Sequence, residues 1–238
     1  MRTSLVTHMP MLLWPIWNRS ERRLRAGWRL LIHLVLWMFT PALLDVALGG
    51  PLALLVGNLI PDFIVIGNRI ALFGLTLFAT LASTWFAARF LDRRALRELG
   101  LQMDTAWWID LAFGLGLGAA LMTLVFLVQY ALGWVTVLQT FSVEPANMPF
   151  YIGILGPMAV FVVVGITEEL LSRGYQTRNM AEGFNFGGRH PRAALVTAWT
   201  ISSLLFGMLH VFNPNSTWIS TLYLMLAGMF LGLGLVLT

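Results

Sequence analysis

The chain has 238 residues, is 58% hydrophobic and only 11% charged, carries a net charge of +4, and contains neither cysteine nor lysine. A soluble domain carries about 25% charged residues, so this composition and a mean hydropathy of +0.78 place the chain among polytopic membrane proteins. Disulfides, thiolate nucleophiles, Cys-based metal sites and Ser–Lys or Schiff-base chemistry are excluded, and arginines set beside apolar segments point to membrane flanks rather than nucleic acid.

The N-terminal "MPMLLWPIW" (9–17) is short, holds two prolines and leads into a basic stretch, so it reads as an interfacial segment with Trp14 and Trp17 at headgroup depth. "NRSERRLRAGWR" (18–29) approaches the first span, Trp28 to Leu48, in which Pro41 is placed to kink the helix. The Gly/Pro-containing stretch 49–62 reads as a loop or a partly inserted helix. Gly67 to Phe90 is span two, closed by "ARFLDRRALREL" (88–99), and Trp107 to Trp134 is span three. A polar loop, "FSVEPANMP" (141–149), precedes span four. The N-terminal arginines (Arg19, Arg22, Arg23, Arg25) and the cluster Arg89, Arg93, Arg94, Arg97 lie two spans apart. Both are expected on the cytoplasmic side, as is the basic loop from Arg178 to Arg192. Gly114/Gly118 and Gly228/Gly232 give small-xxx-small spacing, suited to close helix packing. The last segment, Leu222 to Thr238, has no polar flank, and the chain is expected to stop inside or just after its final helix.

The chemistry concentrates in "GITEELLSRG" (165–174), which follows an apolar run from Phe150 to Ile166. Glu169 and Arg173 are four apart and share a helical face in the favourable order. Glu168 points about 100° away and needs another partner, because a charge in a membrane helix costs about 2.5–3.5 kcal/mol on insertion scales. The next apolar stretch, "LVTAWTISSLLFGMLH" (195–210), ends in His210. If span four runs as helix to about residue 182 and "GFNFGGRHP" (183–191) is the turn, the hairpin centre lies near residue 187. Glu168 and His210 then differ in depth by four residues, about 6 Å. A carboxylate beside an imidazole in a low-dielectric cavity is a water-activating unit, since desolvation raises a glutamate toward the pH at which it is an effective base. The same groups offer a divalent ion such as Zn only a thin site, with Glu168, Glu169 and His210 as its ligands if one binds.

"EELLSRG" resembles the E-E-x-x-x-R motif of the CPBP family, the CAAX-processing and bacteriocin-processing (Abi) intramembrane proteases. "FGMLH" (206–210) is similar to that family's F-x-x-x-H motif, with "RAGWR" and "NPNSTW…LAGMFLGLG" (213–234) as softer likenesses. The resemblance implies an all-α polytopic bundle of about six spans that hydrolyses a peptide bond in a cavity open to the cytoplasm. It implies Glu168 as the catalytic glutamate activating water, Glu169 and Arg173 in a supporting ion pair, and His210 positioning the water. Metal-dependent and glutamate-dependent hydrolysis both stay open. The family's third motif, H-x-x-x-N or similar, follows "LAGMFLGLG" and is thought to stabilise the oxyanion. Here no histidine or asparagine follows Asn215, and each missing oxyanion donor costs about 10²–10³ in rate. The chain as given is therefore expected to be a weak protease, a fragment of one, or a member with another role. Ser172, where many relatives carry an aromatic, is a smaller departure.

The expected organisation is an interfacial segment (1–27), N-terminal transmembrane helices (28–134) and a CPBP-like catalytic core incomplete at its C-terminus (150–238). The expected setting is a bacterial plasma membrane with the N-terminus in the cytoplasm. The expected partners are the lipid bilayer and a peptide or protein substrate delivered at the membrane, with no nucleic acid. A non-catalytic membrane immunity or scaffold protein keeping the fold is the alternative. A proton-coupled transporter using the glutamate pair is disfavoured by the lack of paired broken helices. His8, His33 and His190 have no evident partners and read as structural or solvent-facing. Asp45 and Asp62 fall near outer helix ends, and Asp110 has no evident partner. Asn213 and Asn215 flank Pro214 in a turn that is also placed to cap the next helix.

Overall fold

Apolar runs of this length have one stable form in a bilayer, since only a helix satisfies its own backbone groups there. The computed structural model of the protein describes residues 15–18, 21–60, 64–143, 148–185 and 188–237. Within them, six helices are long and apolar enough to cross a membrane: α1 (Ala26–Leu59), α2 (Ile64–Asp92), α3 (Thr105–Ala131), α4 (Phe150–Phe184), α5 (Pro191–Phe212) and α6 (Trp218–Leu237). The all-α polytopic bundle expected from the sequence is the fold observed, and the protein is an integral membrane protein. Among the described residues the one small sheet pairs β1 (Trp17–Asn18) antiparallel with β2 (Arg23–Leu24), Trp17 lying opposite Leu24.

α1 is longer than the hydropathy pattern suggested. α1 runs through Pro41 and a π-helical turn, Asp45–Gly49, into Gly50–Leu59, so of the two readings of this stretch, loop or helix, the helix is the one observed, as far as Leu59. Pro51 lies where the π-helical turn passes into that last segment. Asp45 consequently lies within α1, exposed, rather than at a helix end. Asp62, Trp14 and His8 lie outside the described residues.

α4 is the hub: it packs on α2 along its first half, on α1 near its end and on α5, and α5 in turn packs on α6. The tight core sits at the junction of α2, the turn Leu96–Leu99 and the middle of α4, where Ala87, Ala88, Leu99, Leu170 and Tyr175 are buried together. Gly174 belongs to this junction. A Cβ there would stand 2.7 Å from the Leu99 carbonyl oxygen and 3.3 Å from Leu170, so the glycine permits the close approach.

The two small-residue patterns behave differently. A Cβ on Gly228 would meet the Ser203 backbone at 3.1–3.2 Å, and one on Gly232 would meet Trp199 at 2.6 Å, so this pair seats α6 on α5. Gly114 and Gly118 have nothing within 4 Å, and α3 contains no buried residue. The second pattern therefore packs nothing within the described chain. Asn215 adopts the left-handed conformation a turn residue needs, with φ +60°. The cap of α6 comes instead from Thr217, whose Oγ1 accepts from the Ser220 N–H at 3.1 Å.

Candidate active site

Glu168 lies 18 residues past Phe150 and 16 short of Phe184, in the middle of a 35-residue helix. At 1.5 Å per residue it is about 24–27 Å from either end. Leu170, Leu171, Gly174 and Tyr175 face the core and fix the helix, which leaves Glu168 directed at α5. The α-helical pattern gives way to a π-helical stretch, Leu170–Thr177, immediately after the glutamate pair; such bulges recur at functional sites.

The two groups predicted to meet do meet. His210 Nε2 stands 3.6 Å from Glu168 Oε1, with side-chain exposures of 20% and 36%, so both are half-sheltered yet reachable. His210 Nδ1 is 2.6 Å from the Phe206 carbonyl oxygen. A carbonyl only accepts, so Nδ1 carries the proton and donates, leaving Nε2 directed at the carboxylate. The gap is too long for a direct hydrogen bond and short enough for one water to touch both atoms.

Glu169 does not join them. It accepts from Arg173 at 2.9 Å in the expected i, i+4 pair. Arg173 does more than balance that charge: a second terminal nitrogen donates to the Gly228 carbonyl on α6 at 3.2 Å. Its guanidinium also lies 4.7 Å from the centroid of the Phe206 ring, and that ring packs against the His210 imidazole at 4.7 Å. One arginine on α4 therefore touches α6 and the aromatic residue that flanks the histidine on α5. Ser172 is buried, and its carbonyl accepts from the Thr177 hydroxyl, whose oxygen also lies 2.8 Å from the Ser202 hydroxyl on α5. This contact ties α4 to α5 about two and a half turns beyond the glutamate.

Among the described residues no three His, Cys, Asp or Glu side chains gather to hold a metal ion. With Glu169 held by Arg173, the set Glu168, Glu169 and His210 reduces to two converging donors. A catalytic zinc site uses three protein ligands, so the donor set does not fit one and no step is routed through a metal.

A second polar cluster escaped the reading of the sequence. Arg29 of α1 is 1% exposed and pairs with Asp92 at the end of α2. Asp92 also accepts from Asn179 of α4 at 3.1 Å. Glu182 accepts from Arg23 at 3.0 Å and Arg29 at 3.1 Å, and also from Arg94. Burial works to lower the Arg23 pKa, but its hydrogen bond to Glu21 and the charges of Glu182, Glu21 and Asp92 outweigh it and hold the group above its ordinary value. His33, expected to lack partners, is buried against Thr84 at 3.1 Å and the Tyr175 ring at 3.9 Å. Arg93 donates to the Arg22 carbonyl, so the N-terminal arginines and the 89–97 cluster share one end of the bundle. Asp110 lies exposed in the first turns of α3, and His190 is exposed before α5.

Residues 150–238 match the family model described as type II CAAX prenyl endopeptidase Rce1-like. No curated protein and no solved structure matches the chain. The matched segment contains Glu168, Arg173 and His210 and the two helices, α5 and α6, that Arg173 joins to its own. The match is to the C-terminal segment alone and is consistent with the CPBP resemblance of the motifs that segment carries.

Proposed function

We propose that this protein is an intramembrane endopeptidase in which Glu168 and His210 activate a water to hydrolyse a peptide bond. The observation that carries the reading is the 3.6 Å approach of His210 Nε2 to Glu168 Oε1, from two helices, midway along α4. A water bridging them donates to the carboxylate and to the Nε2 lone pair, so its own lone pairs are free to attack a carbonyl carbon. Glu168 takes the proton as general base and returns it to the leaving amine. His210, fixed by the Phe206 carbonyl, keeps the water on the line of attack. Glu169 and Arg173 hold the two glutamates apart in role, one paired and one available. The substrate is a peptide or protein presented at the membrane, and the arginine-rich end of the bundle faces the cytoplasm of a bacterial cell.

The test is hydrolysis of a membrane-anchored reporter peptide by the protein reconstituted in liposomes. Removing a general base typically costs 10²–10⁴ in rate, so Glu168→Gln and His210→Asn each lose at least about 10², and Glu169→Gln loses less. Wild-type rates in both of the first two variants would overturn the assignment. If the wild type cleaves nothing while Glu168→Gln keeps the cellular phenotype, the non-catalytic scaffold reading replaces it.

A further inference from the structure

Away from Glu168, the bundle holds a cavity of about 870 Å³ between the N-terminal strand pair, the first turns of α1 and the end of α4. That is within the roughly 300–1,000 Å³ of small-molecule sites. We propose that it binds the phosphate of an anionic phospholipid headgroup, whose acyl chains leave across Trp28 and Leu31.

The acids that line the cavity are already committed. Glu21 is 2.8 Å from Arg23, and Glu182 is 3.0–3.1 Å from Arg23 and Arg29 and also pairs with Arg94. With Arg25 on the wall and Asp92 behind it, four guanidiniums surround three carboxylates. Arg29 lines the cavity, is 1% exposed, and keeps its Nε–H without a partner. That is a buried donor with unmet hydrogen-bonding capacity in the wall of the cavity. α1 starts without a side-chain cap, so its first-turn N–H groups and the positive end of its dipole add to the pull on an anion. Gly27 faces open space, with nothing within 4 Å of a would-be Cβ, so a phosphate can approach the backbone there.

The walls also choose the source. Trp28 is 42% exposed and Leu31 49% exposed, and both stand where α1 enters the membrane at its arginine-rich end. A tryptophan at headgroup depth with aliphatic surface beside it suits a ligand that is polar at one end and apolar at the other. Excess arginine favours an anionic leaflet.

The experiment is native mass spectrometry of the full chain in neutral detergent, titrated with phosphatidylglycerol, phosphatidylcholine or inorganic phosphate. One phosphatidylglycerol is retained per chain, at least about tenfold more tightly than phosphatidylcholine, the effect of about one charge-assisted bond. Arg25→Gln and Gly27→Leu, the second of which fills the cavity, each weaken retention about tenfold. Arg192→Gln, an equal charge change outside the cavity, alters it less than twofold. Competition by inorganic phosphate supports a site that also takes the free ion; phosphatidylglycerol retention without competition supports the lipid alone. Equal retention of the two lipids, or equal losses in Arg192→Gln and the cavity variants, overturns the proposal. The readout is binding, so either result is independent of whether Glu168 hydrolyses peptides.

Discussion

The imidazole of His210 is anchored through Nδ1, which donates to the Phe206 carbonyl at 2.6 Å, and this aims Nε2 at Glu168 Oε1 across 3.6 Å. The carboxylate's reach is therefore as constrained as its charge. Glu168→Asp keeps the charge and withdraws the oxygens by about one methylene. Because a misplacement of about 1 Å can cost about 10²-fold, the variant should lose about 10² in kcat, with little change in KM. A lesion of folding alone would lower the amount of active protein without that split. A rate within threefold of wild type would show that the geometry at Glu168 is not what limits turnover.

Arg173 meets three different demands, and lysine can meet only one at a time. The guanidinium bonds Glu169, donates to the Gly228 carbonyl and lies over the Phe206 ring. A planar fork with several donors does this; a single ammonium does not. Arg173→Lys should retain the Glu169 pair while losing the tie to α6 and most of the ring contact, worth about 1–3 kcal/mol together. The check is a thermal unfolding midpoint lowered in detergent together with a change in the NMR or quenching environment of Phe206 and His210. An unchanged midpoint with full activity would remove the joining role.

The contrast between these two sites and the Arg29–Asp92 cluster shows what the sequence could reveal. Glu169 and Arg173 are readable because four residues on a helix are always neighbours. Glu168 and His210 are readable because one apolar hairpin fixes their depths by counting. Arg29, Asp92, Asn179 and Glu182 are scattered over three helices, and each looks like an ordinary flanking polar residue; their meeting depends on how α1, α2 and α4 converge. His33 was missed for the same reason, its partners Thr84 and Tyr175 being on other helices. The length of α1 was less legible, because a proline and glycines fit a loop or a partly inserted helix equally, and a π-helical turn absorbs the irregularity.

That hidden cluster makes its own prediction. Arg29 is 1% exposed and the Asp92 side chain 0% exposed, so removing one partner strands the other. Asp92→Leu alone should destabilise by about 3–5 kcal/mol, whereas Arg29→Met with Asp92→Leu should recover much of the loss, since a packed apolar pair avoids both desolvation penalties. Glu182 stays paired with Arg23 and Arg94 in the double variant. Denaturant unfolding of the four members of the cycle measures the coupling. Additive losses would show that the two residues stabilise the bundle independently.

The glycine patterns give the last test, because identical spacing has opposite surroundings. At Gly228 a methyl group would press on the Ser203 backbone at 3.1–3.2 Å and on Phe206 at 3.3 Å. Backbone cannot rotate away, so α6 must shift and the Arg173 bond to the Gly228 carbonyl must lengthen. Gly228→Ala should therefore cost about 1–3 kcal/mol and lower activity in step with Arg173→Lys. At Gly114 the same methyl meets nothing within 4 Å on a helix with no buried residue. Gly114→Ala should be neutral or stabilising by up to about 1 kcal/mol, through helix propensity alone. Thermal unfolding of the two variants in one detergent separates the cases. Equal destabilisation at both positions would mean that α3 packs against a neighbour through Gly114 as closely as α6 packs against α5 through Gly228.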